Sequence, residues 1–247
     1  MKTRYEQNIK ILSSMTDAKA QVGLTFALSY LQDNMSEYFR NLGCDGLTMI
    51  PIANCFWVMT KTKVKFNKTI KWMDNVTLAT DLSKKSAYRL NILNHIFNSE
   101  GTLAIEGVQE ICAISNEDRK LIPISATIFP TDIDIDESTI PSLSFTKFDE
   151  ELDDSCLVKE HLIDSRGIDF FGHTNNVEYA RLMLSTLSLN DLNKIAPKQF
   201  EIHYISESRE GQSLQIYRKD MDHAYYFEIK DGERVVCKSL YEYDIIL

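Results

Sequence analysis

Residues 169–179 read Asp-Phe-Phe-Gly-His-Thr-Asn-Asn-Val-Glu-Tyr and open onto an apolar run from Val177 to Leu189. A short amide oxygen at Asn175 or Asn176 can accept from the unpaired N–H groups of a first helical turn. The stretch therefore predicts a helix over Asn176–Leu189. Asp169 and His173 then lie beside its positive end. That is a good place to polarise a carbonyl or hold an oxyanion; a capped helix with a polar lead-in explains the same residues.

Working outward, a strand is predicted before this helix at Ser155–Ile163. Four more follow it: Phe200–Glu207, Ser213–Lys219, Ala224–Lys230 and Arg234–Ile246, with Asp231-Gly232 as a two-residue hairpin turn. The first half has the same order. Tyr5–Leu12 reads as a strand. Gln21–Leu42 reads as a helix, because Leu24, Leu28, Leu31, Met35, Tyr38 and Leu42 recur at steps of three and four, and Gly43 stops it. Strand-like runs follow at Cys55–Phe66, Val76–Leu82, Ala87–Phe97 and Leu103–Ser115. In the first of these Val58, Thr60, Thr62, Val64 and Phe66 share one face by period-two counting. Strand, helix, four strands, used twice, predicts an α+β chain of two similar units, each an antiparallel sheet wrapped around one apolar helix. The predicted domains are 1–130 and 155–247, joined by an acidic linker over 131–154 that contains Pro141.

The chain has 247 residues and a net charge of −9. Residues 1–130 carry +3 and residues 131–247 carry −12. An acidic second half argues against nucleic acid as a partner. No run approaches the roughly 20 apolar residues of a membrane span. Met1-Lys-Thr-Arg-Tyr-Glu6 has no apolar core of a signal peptide. Five widely spaced cysteines fit free thiols in a reducing cytoplasm, without a metal site or cofactor. Basic residues cluster at Lys61, Lys63, Lys65, Lys68, Lys71, Lys84, Lys85 and Arg89. They either steer an acidic macromolecule or blunt a strand edge against aggregation.

The chain resembles the acyl-acyl-carrier-protein (acyl-ACP) thioesterases of bacteria and plants, which have two tandem hot-dog domains. The family form Asp-x-Asn-x-His-Val-Asn-Asn-x-x-Tyr stands here from Asp169 to Tyr179. Its next element, apolar-x-Tyr-x-x-Glu and a polar turn, stands at Ile202-His-Tyr204-Ile-Ser-Glu207-Ser208. Ser29-Tyr-Leu-Gln32 and Phe56-Trp-Val58 look like family segments of the first half. Phe171 replaces the family Asn, Thr174 replaces Val, and Ser208 stands where plant members often carry Cys.

The resemblance implies hydrolysis of a fatty acyl-ACP thioester, with the carrier protein as partner. Glu207 is the expected base, sharing a strand face with Glu201 and His203. His173 is expected to donate to the water or the carbonyl. Asp169 is expected either to orient the imidazole or to act through its own carboxylate. Oxyanion or substrate contacts are assigned to backbone N–H groups near Gly172 and His173 and to Asn175 and Asn176. The first domain is expected to take the acyl chain, along residues such as Ile92 and Ile96. Lys61, Lys63, Lys65, Lys84 and Lys85 are expected to meet the acidic carrier. The alternatives are an acyl-CoA thioesterase and a non-catalytic acyl-binding protein. Two hot-dog units in one chain allow a monomeric pseudo-dimer or a homodimer.

Overall fold

A computed structural model describes residues 4–133, 135 and 143–246. The chain divides into two compact units, residues 1–22 with 26–144, and residues 145–247 with 23–25.

The first unit is built on helix α1 (Leu24–Asn41), followed by a short helix α2 (Gly46–Ala53). Its strands are β1 (Tyr5–Lys10), β2 (Cys55–Phe66), β3 (Asn75–Lys85), β4 (Leu90–Phe97), β5 (Leu103–Ser115) and β6 (Leu121–Ile122). They pair antiparallel in the order β1-β3-β4-β5-β2, with β6 added to the end of β5. α1 starts three residues later than its periodicity suggests. Gln21 bridges to Lys71 and the Val22 N–H donates to the Ile70 carbonyl, so the backbone before Leu24 is still extended. Ala27, Leu28, Leu31, Met35, Tyr38 and Phe39 are buried along α1. Gly107 of β5 faces this helix, and a Cβ there would lie 2.6 Å from Leu31 Cδ1, so helix and strand meet at closer range than a side chain permits.

The strict alternation expected along β2 does not hold. The pairing with β5 shifts between Met59 and Lys61, and Met59, Thr62, Lys63 and Val64 are the residues buried around that bulge. β4 begins at Leu90 rather than Ala87, because Ser86 N–H donates to the Arg89 carbonyl in a turn. α2 was not anticipated. Asp45 caps it by accepting from Leu47 and Thr48 N–H.

A row of polar side chains crosses the first unit between its elements. Gln7 Nε2 donates to Asn34 Oδ1, and Asn34 Nδ2 donates to Thr80 Oγ1. Thr80 Oγ1 donates to Asn94 Oδ1, Asn94 Nδ2 to Gln109 Oε1, and Gln109 Nε2 to Met59 Sδ. Asn34, Thr80, Asn94 and Gln109 are at most 1% exposed, so each needs the others to offset the cost of burial.

The second unit holds β7 (Leu157–Leu162), α3 (Asn176–Leu184), α4 (Leu189–Asn193), β8 (Ile195–Tyr204), β9 (Ser213–Met221), β10 (Ala224–Asp231) and β11 (Arg234–Ile245). The strands pair antiparallel in the order β8-β11-β10-β9-β7. The helix expected to run to Leu189 breaks at Ser185. Ser185 Oγ turns back on the Leu182 carbonyl, and Ser188 forms a capping box with Asp191 that starts α4. β8 starts at Ile195, earlier than expected. Pro197, which cannot donate, is tolerated because the pairing with β11 is irregular at Glu242/Tyr243. β8 also stops at Tyr204, so Glu207 lies beyond the strand and does not share its face with Glu201 and His203.

Of the segment expected as a linker, residues 134 and 136–142, with Pro141, lie outside the described residues. Its last part, residues 145–153, has neither helix nor strand but is pinned to the second unit's sheet. Thr146 N–H and Oγ1 donate to the two oxygens of Glu201, and His203 Nε2 lies 2.8 Å from the same carboxylate. Leu152 N–H donates to Glu228 Oε2. Glu228, wholly buried, sits 3.3 Å from Lys230 Nζ and 3.2 Å from Lys238 Nζ. Those two ammonium groups in turn donate to the carbonyls of Leu152 and Glu150. Among the described residues no helix is long and apolar enough to cross a membrane.

Candidate active site

The stretch 169–173 is a loop closed on itself. Asp169 N–H donates to the His173 carbonyl at 2.8 Å, and Gly172 N–H donates to the Asp169 carbonyl at 3.0 Å. The turn needs a residue at φ +78°, and Gly172 supplies it without steric cost. Ile168 and Thr174 bridge across its base. Inside the loop the Asp169 carboxylate is an anchor for backbone. Its Oδ1 accepts from Phe171 N–H at 2.9 Å and from His173 N–H at 3.2 Å. The N–H groups of Gly172 and His173, expected to face an oxyanion, are therefore used within the loop. Phe171 packs against Phe170 with the rings tilted by 37° and their centroids 4.2 Å apart, and Phe170 is 73% exposed.

Asn175 is the N-cap of α3: its Oδ1 accepts from Val177 N–H at 2.9 Å, while its own N–H holds the Gly167 carbonyl. Asn176 is the first residue of α3, and its carbonyl accepts from the Tyr204 hydroxyl at 3.4 Å.

The loop delivers His173 to Glu207. Nε2 of the buried imidazole lies 3.1 Å from Glu207 Oε2, whose side chain is 38% exposed. Arg209 Nη2 stands 3.4 Å from the same Nε2 and brings a permanent positive charge to the pair. Glu207 is held from behind: Arg234 Nη1 donates to its carbonyl at 3.1 Å, and the N–H groups of Ile205 and Ser206 share the Val236 carbonyl. The structure thus brings His173 and Glu207 together, with the Asp169 carboxylate bonded to the backbone of the loop that carries His173.

Ser208 is no open nucleophile. It is fully buried, with its Oγ 2.7 Å from Thr174 Oγ1 and 2.9 Å from the Tyr179 hydroxyl. Burial pushes the Tyr179 phenol up to about 12. Sequence reasoning overlooked this hydroxyl cluster and Arg209. The available signal was adjacency, since Thr174 follows His173, and Ser208 and Arg209 follow Glu207.

The lysines of the first unit have separate environments. Lys63 is buried and donates to the Ser144 carbonyl at 2.7 Å. Lys61 and Arg89 lie 3.5 and 3.0 Å from Glu110 Oε1. Lys85 reaches the Pro130 carbonyl and lies 5.3 Å from the centroid of the Phe129 ring. Lys65 and Lys84 are exposed. Ile92 and Ile96 are buried in β4.

A family model described as the acyl-ACP thioesterase N-terminal domain matches residues 2–130, and one described as the acyl-ACP thioesterase C-terminal domain matches residues 151–242. Among solved structures, an acyl-ACP thioesterase from Bacteroides thetaiotaomicron superposes with a TM-score of 0.87 at 16% identity, covering 98% of each chain. The 12:0-ACP thioesterase from Umbellularia californica superposes at 0.82 and 14% identity, covering 99% of this chain and 98% of that one. At such identities the likeness is one of fold, the double hot-dog. No curated protein sequence matches the chain.

Proposed function

The chain belongs to the acyl-ACP thioesterase family and is a thioester hydrolase, and from that premise we propose that it releases fatty acid from acyl-ACP using water activated at His173 and Glu207. The observation that carries this reading is the 3.1 Å contact between His173 Nε2 and Glu207 Oε2, made by residues thirty-four positions apart in sequence. Glu207 is open enough to meet water and close enough to a buried imidazole to be held in one orientation.

In this reading Glu207 takes a proton from water as its oxygen bonds to the thioester carbon. The carbonyl oxygen becomes an oxyanion. With the Gly172 and His173 N–H groups engaged elsewhere and the imidazole Nε2 at Glu207, the donor assigned to it is the Arg209 guanidinium. The C–S bond then breaks, and the proton on Glu207 passes to the departing thiolate, giving carboxylic acid and carrier thiol. Asp169 contributes by holding the loop that carries His173.

The acyl chain is assigned to the first unit and carrier docking to its exposed lysines, Lys65 and Lys84. The test is thiol release from acyl-ACP and acyl-CoA by wild type, Glu207→Gln, His173→Ala and Lys84→Glu. Glu207→Gln and His173→Ala are expected to lose at least about a hundredfold in kcat on both substrates. Lys84→Glu is expected to weaken acyl-ACP turnover alone. Full activity in both site variants would overturn the site. An equal effect of Lys84→Glu on both substrates would overturn the docking assignment.

A further inference from the structure

Two residues next to the proposed catalytic pair are joined to each other. Thr174 follows His173, and Ser208 follows Glu207. Ser208 Oγ lies 2.7 Å from Thr174 Oγ1, and the Thr174 N–H donates to the Ser208 carbonyl at 2.8 Å. The hydroxyl of Tyr179, one turn into α3, reaches the same Ser208 Oγ at 2.9 Å. All three side chains are buried, with Thr174 4%, Tyr179 2% and Ser208 0% exposed.

We propose that Thr174, Ser208 and Tyr179 form a clamp whose role is to set the distance between His173 and Glu207. This rests on the reading that those two residues act on the thioester. Neither catalytic residue lies in a helix or a strand. His173 sits in a loop that Asp169 staples through its backbone. Glu207 sits beyond the end of β8, with its carbonyl held from the far side by Arg234. The clamp is a direct link between the two backbones, one residue from each reacting side chain. Tyr179 extends it to α3, so the pair is referenced to a rigid element and not to two loops. The phenol, pushed up to about 12 by burial, keeps its proton throughout the range in which a thioesterase is assayed. Three buried hydroxyls satisfying one another would also serve packing alone. The two roles differ in what their loss changes: packing lowers stability, whereas a lost clamp lowers kcat, because a misplacement of about 1 Å can cost a hundredfold in rate.

The experiment compares kcat, KM and thermal midpoint for Thr174→Val, Thr174→Ser and Tyr179→Phe with wild type and Glu207→Gln. Thr174→Val keeps the shape and removes the hydroxyl; Tyr179→Phe removes a single oxygen. Both are expected to lower kcat about 10- to 100-fold with KM within about twofold. Thr174→Ser, which restores the hydroxyl, is expected to recover most of the rate. The clamp is refuted if Thr174→Val and Tyr179→Phe turn over at the wild-type kcat, or raise only KM, while Glu207→Gln is dead. If Glu207→Gln itself retains activity, the catalytic assignment fails instead.

Discussion

Replacing Asp169 by Asn and by Ala separates two ways in which that carboxylate can matter. Both of its recorded bonds end on one atom, Oδ1, which accepts from Phe171 N–H at 2.9 Å and His173 N–H at 3.2 Å. Asn at this position keeps an oxygen there and loses only the charge. A hydrogen bond to a charged group contributes about 1.5–3 kcal/mol and a neutral one about 0.5–1.5, so Asn weakens the loop by about 1 kcal/mol per bond. Ala removes both bonds and leaves two partly buried N–H groups without their acceptor, a loss of roughly 3 kcal/mol or more. The loop carries His173, so the loss is read in turnover. Asp169→Asn is expected to lower kcat by less than about tenfold, and Asp169→Ala by about a hundredfold or more. Steady-state kinetics on acyl-ACP with a thiol reagent, plus a melting curve for each variant, provides the assay. If Asn is as damaging as Ala in folded protein, the negative charge itself acts on imidazole or substrate, and the backbone-anchor account is wrong.

Three further outcomes follow from packing and burial. Gly107→Ala places a methyl 2.6 Å from Leu31 Cδ1 and is expected to cost about 1–3 kcal/mol, lowering the thermal midpoint by several degrees; Leu31→Ala should cost less in that background than in wild type, and strict additivity would contradict the contact. Glu228→Gln strips the counter-charge from Lys230 and Lys238 and is expected to cost about 3–5 kcal/mol, seen as a lower urea midpoint; an unchanged midpoint would show that the buried charges are not coupled to folding. Burial pushes the thiols of Cys44, Cys55, Cys112 and Cys237 up, Cys44 to about 12, so at pH 8 they stay protonated and half-exposed Cys156 alone should alkylate quickly in native protein; peptide mapping that finds Cys237 labelled as fast would contradict this.

The fold was legible where burial imposes a simple period. The three- and four-residue steps from Leu24 to Tyr38 located α1, and the ends of β2 and β5 were placed correctly. What escaped was local chemistry that a period does not carry. A bulge at Met59–Lys61 adds a residue that alternation cannot see. Ser185 and Ser188 end one helix and begin another through side chain–backbone bonds. α2, apolar but for Thr48 and containing Pro51, has no polar face to mark it. At the site, the pairing of His173 with Glu207 was legible only through the family spacing, because nothing local brings residues thirty-four apart together. Asp169 was legible as a candidate, but its bonds to the Phe171 and His173 N–H groups were not, since every sequence has such groups. Thr174, Ser208 and Tyr179 are ordinary hydroxyl residues until folding sets the first and last within 3 Å of the Ser208 hydroxyl.

The polar row of the first unit has a direction. From Gln7 through Asn34, Thr80, Asn94 and Gln109 to Met59, every link donates the same way, and each member comes from a different strand or from α1. A one-residue slip of any of these strands would turn its member to the opposite face and strand the donors and acceptors on either side. An apolar interior accepts many near-equivalent arrangements; this one acts as a checksum on chain alignment. A misaligned sheet would bury several unpaired amides at once, so the first unit is built to reject near-miss folds as well as to favour the right one.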